Sequence, residues 1–166
     1  MLSTLREDKA TGADGLNPKY LKAIQIEICY PLWVIYKKSL WECSIPDDWK
    51  LTNICPIFKK GDRSLIENYR PVSLTSQLGK LCEGIVKDAI VTHLEKFGLV
   101  RDTQHGFRRG GSCVSNVLIF LDKITRWIDV GHPADVIFLD FAKAFDKVPH
   151  KRLITKMKMY GIDGKI

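Results

Sequence analysis

Apolar positions recur with a helical period over much of this chain and switch to a strand period in two places. Residues 9–15 are turn-rich, and Asn17-Pro18 then supplies a capping side chain followed by proline at a first helical position, so a helix starts there. Leu21, Ile24 and Ile28 share one face, and Pro31 predicts a kink or restart before the pattern runs on through Trp33, Tyr36 and Leu40. Residues 45–49 read as a turn. Residues 51–58 read as a strand with Pro56 at an edge or bulge, Lys59-Lys60-Gly61-Asp62-Arg63 as a charged tip, and 68–74 as the returning strand. From 77 to 97, Leu78, Leu81, Ile85, Ala89, Leu94 and Phe97 keep helical spacing, with Gly98 at the C-cap position. A glycine-rich basic loop over 104–112 ends at Ser112, an N-cap for a helix through Val117, Leu118, Leu121 and Ile128 to Gly131.

The second strand-like stretch is Val136-Ile137-Phe138-Leu139, which runs without a polar break into Asp140 and reads as a buried strand delivering an acid. Phe141, two alanines, Phe145 and Asp146 form an aromatic-lined turn, and a helix over 149–160 buries Leu153, Met157 and Tyr160. On these residues alone, Asp140 is an N-cap, a salt-bridge partner or a turn brace as readily as a hard oxygen ligand for a metal at a cleft edge. Asp146 reads as a cap or loop brace. Lys59, Lys60, Arg63 and Arg70 are either solvated surface charges or a clamp for an anion with several phosphates. The loop carrying Arg108 and Arg109 has the same two readings, since its glycines also permit close approach to a nucleic-acid backbone.

Composition narrows the classes. The 166 residues fit one domain, and 45% hydrophobic content is enough for a core, which excludes a disordered chain. Lys and Arg number 26 against 19 Asp and Glu, and the resulting +7 favours a polyanionic partner. Cys29, Cys43, Cys55, Cys82 and Cys113 are odd in number, scattered and without a C-x-x-C pair, as expected of reduced core thiols in a cytosolic or nuclear protein. The four histidines lack zinc-ligand spacing. No apolar run approaches the roughly 20 residues of a membrane span, and the amino terminus becomes charged too early for a signal peptide.

Five blocks in order, K-A-T-G-A-D-G-L from Lys9, P-I-F-K-K-G-D from Pro56, N-Y-R-P-V-S-L-T-S from Asn68, Q-H-G-F-R-R-G-G-S from Gln104 and V-I-F-L-D-F-A-K-A-F-D-K-V-P-H from Val136, strongly resemble the reverse transcriptase of non-LTR retrotransposons of the jockey and related LINE type. The resemblance implies an α+β chain forming part of a right-hand polymerase. Residues 1–50 would be a helical amino-terminal extension, 51–133 a fingers β-hairpin with connecting helices, and 134–166 the start of an incomplete palm sheet. It makes Asp140 a catalytic ligand to two Mg2+ ions, with the Phe141 carbonyl as accessory ligand. Lys59 or Lys60, with Arg70, would grip the triphosphate, and Phe145 would be a steric gate beneath the sugar that favours dNTPs. Gln104, Gly106, Phe107 and Arg108 would lie near the template and nucleotide pocket. The implied partners are an RNA template, a DNA primer and dNTPs, with no membrane.

The family's aromatic-x-Asp-Asp block does not occur in these residues, and the rest of the palm, the thumb and an upstream endonuclease are expected elsewhere in the complete element. The expectation is therefore that this polypeptide alone does not polymerise, since one carboxylate cannot hold two ions. An under-covered palm face also predicts poor solubility. A group II intron maturase or retron enzyme shares the palm pattern, though Q-H-G-F-R and K-A-F-D-K-V-P-H lean to the LINE type. The reading from a different class is a non-catalytic nucleic-acid-binding remnant of a decayed or domesticated element.

Overall fold

Asn17 caps the first helix as its sequence requires: its side-chain oxygen accepts from the Lys19 N–H at 2.9 Å, and α1 (Pro18–Ala23) opens with proline at the position where a missing N–H costs nothing. The structure is a computed structural model that describes residues 1–108, 110–141 and 143–163. Arg109, named above as a loop charge, lies outside the described residues. The chain is α+β, with six α-helices and a two-stranded antiparallel sheet among the described residues. It divides into two units, Met1–Ile90 with Asp163, and Val91–Ile162. No described helix is long and apolar enough to cross a membrane.

In the first unit the helical break falls at Ile24, whose N–H bonds back to the Tyr20 and Lys22 carbonyls, and α2 (Gln25–Glu42) contains Pro31 without a break. The restart allowed for at Pro31 thus falls seven residues earlier, and the 18-residue helix continues past Pro31, where a proline forfeits a single backbone bond. A one-turn helix, α3 (Asp47–Lys50), replaces the turn expected at 45–49 and lays Trp49 edge-on against Tyr36, with ring centroids 5.5 Å apart. Leu21, Leu32 and Cys82 form a small core with Pro18, Ser76 and Gln77. Beside it lies a largely apolar cleft of about 580 Å³ lined by Leu40, Ile45, Trp49, Cys82 and Val86.

β1 (Thr52–Phe58) pairs with β2 (Tyr69–Thr75) in the hairpin the alternation predicts, with Ile54↔Ser73, Cys55↔Val72 and Ile57↔Arg70 in register. Pro56 stands directly opposite Pro71. The Lys59 N–H donates to the Asn68 carbonyl at 2.8 Å, and the alternation from that bond makes 57↔70 and 55↔72 the hydrogen-bonded pairs. Both prolines therefore sit at a pair that exchanges no bonds, and the ladder passes them intact without a bulge.

At the end of β2 the chain turns into α4 (Gln77–Lys96) across a corner built from buried polar groups. The Ser76 hydroxyl accepts from the Gly79 N–H at 3.2 Å, and Gln77 Nε2 donates to the Ala10 carbonyl at 3.0 Å. Gly12 lies so close to this corner that a β-carbon there would stand 2.6 Å from the Thr75 carbonyl group. The amino-terminal turn block is thus a strap over the β2–α4 junction. No residue of the α4 face read from spacing is fully buried: Leu78, Leu81 and Leu94 are half-buried, while Ile85, Ala89 and Phe97 are exposed.

In the second unit Gly98, two residues past the end of α4, has φ +60°, and the Leu99 N–H closes back on the Leu94 carbonyl. α5 (Cys113–Asp129) starts on a reciprocal cap in which the Ser112 and Ser115 hydroxyls each accept the other's backbone N–H. α6 (His150–Met159) meets the end of α4, where His93 Nε2 lies 2.7 Å from the Tyr160 carbonyl. A carbonyl can only accept, so that nitrogen carries the proton.

Several expectations of burial fail. No described residue of the second unit is buried, and the apolar face of α5 is exposed along its length. Residues 136–139 form no strand: Ile137, Phe138 and Leu139 are 82, 83 and 86% exposed on unpaired backbone, so a palm sheet has not begun among the described residues. A strand is stable only against a partner strand, and no described segment supplies one. Leu153 is likewise exposed, and Cys29, Cys43, Cys55 and Cys113 are exposed free thiols, leaving Cys82 as the one cysteine in the core. Two separate compact bodies of these sizes would together expose roughly 10,000 Å². The chain exposes 14026 Å², much of it apolar.

Candidate functional site

The first group of candidate residues is carried by the hairpin. Its tip is held by short local bonds: the Asp62 carboxylate accepts from the Ser64 N–H at 2.9 Å and from the Ser64 hydroxyl at 2.8 Å, which together hold Asp62 below the usual carboxylate range. Asn68 Nδ2 donates to the Asp62 carbonyl, and the Tyr69 hydroxyl donates to the Arg63 carbonyl. Arg63 lies over the Phe58 ring, 5.1 Å from its centroid, so this cation serves the loop's own packing.

Lys59, Lys60 and Arg70 are exposed, and no described carboxylate pairs with them. Side chains alternate along each strand, so the ladder bond from Lys59 to Asn68 puts Lys59 on the same face as Ile57 and Arg70, whereas Lys60 lies beyond the ladder in the bend of the tip. Lys59 thus continues the ladder and Lys60 does not.

The second group lies in the other unit. Gln104 Nε2 donates to the Gly106 carbonyl at 3.0 Å. The Arg108 guanidinium donates to the Arg101 carbonyl at 3.3 Å and pairs with the Asp102 carboxylate at 3.2 Å. Gln104 and Arg108, expected to face nucleic acid, are therefore tied into their own loop, and Asp102 is the partner that sequence reasoning missed. A cleft of about 190 Å³ between this loop and the end of α4 is lined by Leu94, Val100, Gln104, Phe107 and Arg108.

Asp140 is exposed on the unpaired segment, and Phe141 beside it is 81% exposed. The following turn closes through the Lys147 N–H to the Lys143 carbonyl at 3.1 Å and contains Phe145 and Asp146. Asp146 does not cap α6, whose N-cap is Pro149. Phe145 meets Phe107 edge to face, with ring centroids 6.2 Å apart, so two candidates 38 positions apart in sequence come together.

Among the described residues no three His, Cys, Asp or Glu side chains gather as a metal site. Two ions about 4 Å apart need several carboxylates around them. Asp140 offers one hard oxygen donor, and this donor set does not fit the pair of ions that the resemblance implies.

Residues 57–166 match the family described as reverse transcriptase (RNA-dependent DNA polymerase). The chain belongs to that family. Reverse transcriptases bind an RNA template and a primer and use divalent metal ions. Over 95% of its length the chain is 32% identical to the probable RNA-directed DNA polymerase from transposon BS of Drosophila melanogaster, and 28% identical to that from the mobile element jockey of Drosophila funebris. It is 27% identical over 93% of its length to the Pol polyprotein of the type-1 retrotransposable element R2 of Popillia japonica. The BS and jockey relatives are named as RNA-directed DNA polymerases of a transposon and a mobile element, in line with the jockey-type resemblance of the five blocks. The chain spans 17% of the length of the BS and jockey proteins and 20% of the R2 protein, and is a partial reverse transcriptase domain.

Proposed function

We propose that this chain is the fingers and first palm segment of an RNA-directed DNA polymerase, in which a primer 3′-hydroxyl attacks the α-phosphate of a dNTP and pyrophosphate leaves. The observation that carries the reading is the hairpin within a family match. It holds Lys59 and Arg70 on one face, without carboxylate partners, on a ladder that fixes their spacing. An ammonium and a guanidinium so held supply charge-assisted donors to the β- and γ-phosphates and offset their negative charge as the leaving group departs. Phe145 takes the position beneath the sugar, where a ring would clash with a 2′-hydroxyl.

Asp140 and the Phe141 carbonyl are too few donors to hold two Mg2+ ions by themselves; in the complete enzyme they would contribute oxygens to such a pair, which would supply activation of the attacking hydroxyl and stabilisation of the leaving oxygens. The remaining carboxylates come from the Asp-Asp block absent from these 166 residues, so the segment by itself holds no complete site. RNA template, DNA primer and dNTP are the partners of the completed enzyme.

The test is primer extension on an RNA template. The purified 166-residue chain should give no magnesium-dependent product, whereas a polymerase extended through the Asp-Asp block should. In the latter, Asp140→Asn should lower synthesis by at least about a thousandfold while leaving RNA binding within a factor of about two. Wild-type rates from that variant would remove Asp140 from the metal site.

A further inference from the structure

The 101–112 loop holds one aromatic ring out into solvent. Phe107 has φ +58°, in the left-handed region that bulky side chains avoid unless their surroundings impose it. Here both flanks impose it. On one side the Gly106 carbonyl is held by Gln104, and on the other Arg108 is anchored to the Arg101 carbonyl and the Asp102 carboxylate. Gly111 closes the loop against the His105 backbone, where a β-carbon would strike the His105 carbonyl.

What this clamp presents is a ring 94% exposed, meeting the 78%-exposed ring of Phe145 at an interplanar angle of 87°. An ordinary packing contact buries at least one partner, and this one buries neither. Edge-to-face pairs hold a preferred mutual orientation through the ring quadrupoles. The backbone under Phe145 is pinned by its turn, with Lys143 at φ +54° and the Lys147 to Lys143 bond, while the ring itself is left without a wall of core residues.

Resting on the reading of Phe145 as the ring beneath the incoming sugar, we propose that Phe107 is a positioning residue for sugar selection. The perpendicular ring contact fixes the orientation in which Phe145 meets the 2′ carbon, and Gln104, Arg108 and Asp102 brace Phe107. The Q-H-G-F-R block thus bears on the choice between deoxy- and ribonucleotide through one ring acting on another, with its polar residues turned inward as supports.

In a polymerase extended through the Asp-Asp block, the readout is kcat/KM for a dNTP divided by kcat/KM for the matching rNTP. Phe107→Ala should lower that ratio roughly three- to tenfold, the range an edge-to-face pair is worth. Phe107→Tyr should retain it, and adding Phe107→Ala to Phe145→Val should produce no further fall. Asp102→Ala, which frees Arg108 and leaves Phe107 in place, should lower the ratio in the same direction and guards against a folding defect in the first variant. If Phe145→Val relaxes selection but Phe107→Ala leaves the ratio unchanged, even with both nucleotides used less well, the positioning role is wrong and the gate reading stands. If Phe145→Val itself leaves the ratio unchanged, both are wrong.

Discussion

Replacing Gly12 by alanine is a stringent probe of the strap over the β2–α4 corner. The new methyl would lie 2.6 Å from the Thr75 carbonyl carbon and oxygen and 2.7 Å from the Ser76 nitrogen, all backbone atoms that no rotamer change can move. Ordinary contact begins near 3.4 Å, so the 9–15 turn must withdraw by roughly 0.8 Å. Such a withdrawal carries the Ala10 carbonyl out of reach of Gln77 Nε2, now 3.0 Å away, and Gln77 is only 6% exposed. An unsatisfied buried amide costs about 1–3 kcal/mol, and residual overlap brings the expected loss to about 2–3 kcal/mol.

Gly84→Ala is the matched control. It lies inside α4, where alanine gains about 1 kcal/mol over glycine, and its β-carbon meets only the free methyl end of Met1 at 2.9 Å. The two substitutions add the same atoms and should have opposite signs. Amide hydrogen exchange at Gly79 and Lys80, whose N–H groups bond to Ser76, reads the corner directly. Protection there should fall about 30- to 150-fold in Gly12→Ala and hold or rise in Gly84→Ala. Equal protection in the two variants would show that the strap does not press on the corner, and the close approach of Gly12 would be refuted.

The pKa of the Tyr36 hydroxyl, which donates to the Leu78 carbonyl at 2.9 Å, is pushed up to about 12, first by burial and then by Cys82. Its folded value lies above the ordinary 10, so its contribution to stability is complete below pH 10 and lost as pH climbs from 10 to about 12. Discounted for partial exposure this is about 1 kcal/mol, and Tyr36→Phe should flatten an alkaline denaturation curve followed by circular dichroism over that window. At the hairpin tip, Lys59→Ala should raise the dNTP KM of an extended polymerase by about tenfold and Lys60→Ala by less than about twofold. Equal effects in steady-state kinetics would mean that a place on the ladder beside Arg70 is not what makes a lysine grip the triphosphate.

What the sequence made legible was local. The caps at Asn17 and Ser112, the C-cap at Gly98 and the hairpin over 51–74 are each written in a few neighbouring residues, and each stands where the pattern put it. Val136–Leu139 has every local mark of a strand, yet strand formation depends on a partner that can lie anywhere in a chain, and local pattern carries no information about it. The strap joins Ala10 to Gln77 across 67 positions, and in sequence those residues read only as a turn and a helix start. At the candidate site the residue types were legible, while the pairing of Arg108 with Asp102 and the backbone of Phe107 were not, since both depend on how one loop folds on itself.

The paired prolines of the hairpin bear on a hazard outside catalysis. With Ile54 and Ile57 exposed, this two-stranded ribbon offers two open flanks, the kind of template on which copies of a chain stack into fibrils. An incoming strand must find a regular row of outward N–H donors to grip. Pro56 removes the donor at the middle of one flank and Pro71 at the middle of the other, directly across from it. A third strand would be interrupted at its centre on either side, so the same prolines that leave the hairpin's own ladder undisturbed also keep the ribbon from seeding a larger sheet.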